Sequence, residues 1–156
     1  MNLKPHLVAV SLFAGLGCTT TFHLYPVLGP RSAQRPLPVL MAQMRGSGIR
    51  GTISFTLPDG EACTGPWSRV EPGQAAPAFG SPVETAGTDL SSEWDGVYGP
   101  GYYVANVLGA QIRSEATVKG DRGSFFRLEF YRNTVEYSPT LGVAKDNQGN
   151  VYKVAL

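Results

Sequence analysis

The chain has 156 residues, a length suited to one domain, with 13 Lys and Arg against 12 Asp and Glu and a net charge of +1. That balance leaves no electrostatic footprint for nucleic acid. Two Cys exclude a disulfide scaffold, and 42% hydrophobic residues exclude wholesale disorder.

Residues 1–6 are a short polar start with one firm charge, Lys4. Residues 7–17 then carry no charge and one Ser. Eleven helical residues span about 16 Å, half of a ~30 Å hydrocarbon core, the size of a signal-peptide apolar region and too short for a transmembrane helix. The run ends in Gly15-Leu16-Gly17-Cys18. This resembles the lipobox of bacterial lipoproteins, although Gly15 stands where that family usually has Leu. The resemblance implies cleavage after Gly17 and acylation of Cys18. It also implies two or three acyl chains, enough for a stable anchor without a basic patch. Thr19 follows the Cys where a retention signal for the inner membrane would place Asp, which by resemblance favours the outer membrane, facing the periplasm.

With Cys18 acylated, Cys63 is the one free thiol, and the reading is a small buried hydrophobe on a strand. Residues 18–38 are expected to be the lipidated N-terminus with a tether or arm. Pro26 demotes the strand-like residues 21–28 to an edge strand or extended arm. Residues 39–156 then form a single β domain. A strand is expected over residues 39–45, with Met41 and Met44 as fillers and not a metal-binding pair.

The clearest pattern starts at Gly48. Ile53, Phe55 and Leu57 alternate with Thr52, Ser54 and Thr56, Pro58-Asp59-Gly60 is a turn, and residues 61–67 return. Glu61 and Thr64 are expected outside and Cys63 inside. Residues 68–88, with three Pro and three Gly, read as a surface loop. Residues 89–98 predict one short helix with an Asp or Ser cap, ending near Gly99-Pro100-Gly101, with Leu90, Trp94 and Val97 or Tyr98 on one face.

Residues 102–108 read as a strand. Residues 111–119 and 124–131 form a second hairpin about Gly120-Asp121-Arg122-Gly123, with Ile112, Ser114, Ala116 and Val118 on one face and Phe126, Leu128 and Phe130 opposite them. Its charged face, with Arg113, Glu115, Lys119, Arg127 and Glu129, is expected to be solvated. Residues 141–146 and 151–156 form a third hairpin about residues 147–150. Three hairpins and at most one helix predict an all-β protein, a small antiparallel sandwich or a partly closed barrel.

Residues 51–67 (GTISFTLPDGEACTGPW) and 142–154 (GVAKDNQGNVYKV), with the arm 22–30, resemble small uncharacterised lipoproteins of Gram-negative bacteria. The resemblance implies an envelope location and no particular catalysis. Beyond the leader the chain has one His, His23, so a Ser or Cys nucleophile finds no paired base of the usual kind. No nucleotide loop or G-x-S-x-G elbow occurs. Residues 146–150 lack the alternating acids of a calcium loop. No cofactor and no metal are indicated.

Two readings follow. The first is a non-enzymatic binding, assembly or structural lipoprotein, held to the membrane by its anchor, with an envelope protein or glycan as partner. The second is a small envelope hydrolase acting on glycan through Glu93 and Asp95, which flank Trp94 ahead of Tyr98, Tyr102 and Tyr103. Two converging carboxylates beneath Trp94 would favour the second.

Overall fold

Period-two alternation gives each strand one apolar row, and the rows meet inside one closed sheet. The computed structural model describes residues 18–70, 90–108, 110, 112–132 and 140–155; the leader, most of the expected 68–88 loop and the connection 133–139 lie outside the described residues. The strands are β1 (Cys18–Leu28), β2 (Leu40–Ser47), β3 (Arg50–Thr56), β4 (Ala62–Val70), β5 (Ile112–Gly120), β6 (Phe125–Arg132), β7 (Leu141–Asp146) and β8 (Val151–Ala155). Each runs antiparallel to the next, and β8 pairs with β1. The protein is an all-β closed eight-stranded antiparallel barrel with one short α-helix, α1 (Ser91–Tyr98). Of the two expected architectures the barrel forms, and its closure is complete.

The register fills the interior with complementary sizes. Phe55 lies opposite both Ala42 and Cys63, Ile53 opposite Gly65, Leu128 opposite Ala116 and Ala144, and Phe130 opposite Gly142. Large residues beside small ones let eight rows interdigitate in a barrel just wide enough for side chains. Phe22 and Phe130 meet edge to face at 5.5 Å, and Phe55 and Phe126 at 5.0 Å. The outward rows carry mostly polar residues, such as Thr19 and Thr21 on β1, Thr52, Ser54 and Thr56 on β3, and Arg113, Glu115 and Lys119 on β5. A lipid-facing barrel needs the reverse, an apolar outer band. Among the described residues no helix is long and apolar enough to cross a membrane.

Three expectations are corrected. Residues 18–28 are neither tether nor edge strand: they are β1, paired with β2 over residues 18–24 and with β8 over residues 23–28. Pro26, which has no N–H to donate, is accommodated because the β1–β8 register shifts between Pro26 and Leu28, a bulge where a ladder bond is not required. Residues 102–108 do not form a strand. Tyr103–Val107 is a single π-helical turn. Asp95 holds it there, its carboxylate accepting from the Gly101 and Tyr103 amides at 3.0 and 2.9 Å, and Tyr102 joins an aromatic stack instead of a sheet. Strand propensity yields to that packing. The helix also lacks the expected polar cap: Leu90 occupies the N-cap position and makes no side-chain cap bond.

The charged face of β5 and β6 is solvated only in part: Lys119 is exposed, while Arg113, Glu115 and Arg127 are half-buried. Glu129 is buried, covered by α1 and the π turn. Trp94, fully buried against this face, donates its indole N–H to Glu129 at 2.7 Å, and Arg113 pairs with both Glu115 and Glu129 at 3.3 and 3.4 Å. Leu90, Trp94, Val97 and Tyr98 do share the predicted apolar face, packed with Tyr131 and Val143 outside the barrel wall.

Candidate functional site

The two ends of the barrel are built differently. One end holds the β3–β4, β5–β6 and β7–β8 turns, and buried polar groups stopper it. Asp146 accepts from the Gln148 and Asn150 amides at 2.9 and 2.8 Å, from the Asn150 side chain at 2.8 Å and from the Tyr152 hydroxyl at 2.9 Å. Asn150 in turn accepts from the Arg31 amide at 2.8 Å. Beside it, Glu61 accepts from the Arg122 and Ser124 amides at 3.0 and 2.9 Å and from the Ser124 hydroxyl at 2.6 Å. The Glu61 carboxylate crosses Gly120 so closely that a Cβ there would lie 1.9 Å from its Oε1, and a side chain at that position would displace the carboxylate from its donors. The Ser124 hydroxyl and amide, aided by the Arg122 amide, outweigh burial and hold Glu61 below the usual carboxylate range.

Glu61 was expected outside, and this is corrected: it is buried, folded over the barrel end, because three donors from the β5–β6 turn converge on it. Cys63, two residues on, is inside as predicted and 2% exposed. Burial, reinforced by the Glu61 charge, pushes its thiol up to about 11, so it is protonated and unreactive near neutrality.

At the other end the described residues leave an opening. A cavity of about 310 Å³ enters the barrel where β1 begins and β2, β4 and β6 end. Trp67, Phe130, Met44 and Ile112 supply apolar wall, Thr20 and Ser114 contribute hydroxyls, and Gly46, Gly48 and Arg132 lie around the opening. Trp67 is pinned by its indole N–H, which donates to the Arg45 carbonyl at 3.1 Å. Gly51 makes this close crossing possible, since a Cβ there would stand 2.6 Å from the indole nitrogen.

Three neighbouring strands end small on the inside at this end: the inward row of β1 runs Leu24, Phe22, Thr20, that of β2 ends Met44, Gly46, and that of β3 runs Phe55, Ile53, Gly51. Sequence reasoning read these rows as core and missed the mouth. The signal was this loss of inward volume at matching ends of neighbouring strands. Met41 and Met44, as expected, form no pair: Met41 is exposed on the outer face and Met44 packs against the core.

Glu93 and Asp95 lie elsewhere, on α1 against the outer wall. Glu93 is paired with Lys145 at 2.6 Å and accepts from the Ser92 hydroxyl at 2.8 Å. Burial raises its pKa, but the Lys145 and Ser92 bonds outweigh this, and the net direction is down. Asp95 is spent on the π turn, and the Tyr103 and Gly101 amides likewise hold it low. A glycosidase acid needs a raised pKa and an open aromatic platform. Here the rings cover one another: Tyr98 stacks on Trp94 at 5.3 Å and on Tyr102 at 4.8 Å, and the Tyr102 and Tyr131 hydroxyls share a hydrogen bond at 2.8 Å. The two acids therefore have separate structural partners in a covered cap.

Residues 146–150 are the β7–β8 turn, with the Asp146 carboxylate serving its own loop. His23 is half-buried on β1, its ring 6.0 Å from Tyr25. Cys18 is the first residue of β1, with its backbone opposite Gly46. No family model, curated protein or solved structure matches the chain.

Proposed function

We propose that this chain is a non-enzymatic binding module of the bacterial cell envelope, anchored to the outer membrane through acylated Cys18 and facing the periplasm, with the open barrel mouth as its binding site. The observation that supports this reading is the asymmetry of the barrel ends: one is closed by bonded polar groups, while the other keeps a cavity of about 310 Å³ whose lining mixes Met44, Trp67, Ile112 and Phe130 with Thr20, Ser114, Tyr131, Arg132 and Thr140. That volume lies at the small end of ligand pockets, and mixed lining of this kind suits a small, mainly apolar ligand. An eight-stranded barrel not filled to its rim has room for one such molecule.

The test is titration with the fluorescent apolar probe N-phenylnaphthylamine. The protein should bind it saturably. Ser114→Phe and Thr20→Phe, which fill the cavity from different walls, should each abolish binding while keeping the native circular dichroism. Equal binding by the wild type and both variants would refute the assignment of the mouth. The anchor is tested apart from this by intact mass, which should show cleavage after Gly17 and added acyl groups. Normal maturation of Cys18→Ser would refute the anchor.

A further inference from the structure

We infer that the barrel stands mouth down on the bilayer and that its cavity takes one acyl chain of a bilayer lipid, an inference that rests on the proposed acylation of Cys18. The Cys18 backbone is already in the sheet, opposite Gly46 of β2. Gly46 lines the cavity, and so does Thr20, two residues along β1. Two strand residues span about 7 Å. The expected tether is thus absent, and an anchor on Cys18 is an anchor on the rim of the mouth. A barrel on a flexible tether turns any face to the membrane. One held by the first residue of a barrel strand keeps that rim at the headgroups and points its stoppered end away.

The rim suits such a surface. Ile49, at the tip of the β2–β3 turn, is 57% exposed. Arg50 and Arg132 are exposed at the ends of β3 and β6, where guanidinium groups meet lipid phosphates. Behind the rim, Trp67, Phe130, Met44 and Ile112 offer apolar wall to a chain that leaves the bilayer and enters the mouth. A folded protein partner would not enter about 310 Å³. An acyl chain is narrow enough to enter and apolar enough to gain by it.

The experiment uses the purified acylated protein in vesicles of phosphatidylethanolamine and phosphatidylglycerol, with and without lipid brominated on its acyl chains. Emission of Trp67 is taken as the difference between wild type and Trp67→Phe. Brominated lipid should remove most of the Trp67 emission, and Ser114→Phe and Thr20→Phe should each restore it. Emission from Trp94, outside the barrel wall, should be unchanged. Unquenched Trp67 in protein whose mass includes the acyl groups would overturn the mouth-down orientation and leave the anchor standing. Protein without acyl mass would overturn both. Quenching that persists undiminished in both filled-cavity variants would overturn occupancy by an acyl chain.

Discussion

The closed and open ends of this barrel are made from the same eight strands and differ in what the inward rows present. At the closed end, Asp146 and Glu61 between them gather seven hydrogen-bond donors from the β5–β6 and β7–β8 turns and from Tyr152 of β8. Each buried donor left unmade would cost about 1–3 kcal/mol, so this end is fixed by its own polar groups. At the open end the inward residues are Thr20, Met44, Gly46 and Ser114 around Trp67 and Phe130, and they leave space. The contrast teaches where stability and function reside: one end is stabilised by satisfying its polar groups, and the other forgoes packing to keep a cavity.

The largest expected effect lies at the closed end. Asp146→Ala removes the acceptor for two amides, the Asn150 side chain and the Tyr152 hydroxyl, and should lower the free energy of unfolding by about 3 kcal/mol or more, read from urea midpoints. The folded fraction should still bind N-phenylnaphthylamine. Loss of probe affinity in that fraction would break the separation of the two ends.

Acid should act on the same end. The Glu61 pKa is depressed from its ordinary value of about 4.5, so its contribution to stability is complete above that value and is lost as pH falls through the lower, folded value. Urea midpoints should therefore fall below about pH 4.5, and Glu61→Gln should be less acid-sensitive than the wild type. An unchanged acid limb in the variant would remove Glu61 from the account.

Just inside the closed end, Cys63→Ala should cost about 1 kcal/mol through lost packing and leave probe binding intact. Thiol reagents should label Cys63 slowly in the folded protein and rapidly in denaturant, in keeping with a thiol raised to about 11. The smallest stability effect belongs to the mouth. Ser114→Ala should change unfolding by no more than about 0.5 kcal/mol, the scale for substitutions away from packed features. Destabilisation on the scale of Asp146→Ala would show that the mouth is structural.

The sequence was legible wherever alternation was strict. The hairpins built on Ile53-Phe55, Phe126-Leu128-Phe130 and Val143 to Val154 can be read residue by residue, because a period of two assigns each side chain to a face. Closure of the barrel could not be read that way. It depends on β1 pairing with β8, and Pro26 argued against a bonded strand there until the bulge beside it was known. Tyr102 and Tyr103 have strand-forming side chains, but Asp95, seven residues before Tyr102, fixes a turn at that point through backbone amides.

Buried charges were the least legible. Glu61, Glu93 and Glu129 look like surface acids, and only the distant partners Ser124, Lys145 and Trp94 make their burial affordable. Among candidate sites, the sequence drew attention to Glu93 and Asp95 because acids beside aromatics are conspicuous. The mouth is a loss of volume, and small residues give little notice of a shared purpose until strand register aligns them.

The most direct test of the two-ended account is amide NMR of isotope-labelled protein titrated with N-phenylnaphthylamine. Shifts should concentrate at Thr20, Gly46, Gly48 and Ser114 and leave the amides of Gln148, Asn150 and Ser124 unmoved. Shifts centred on those closed-end amides, or on α1 around Glu93 and Asp95, would contradict it.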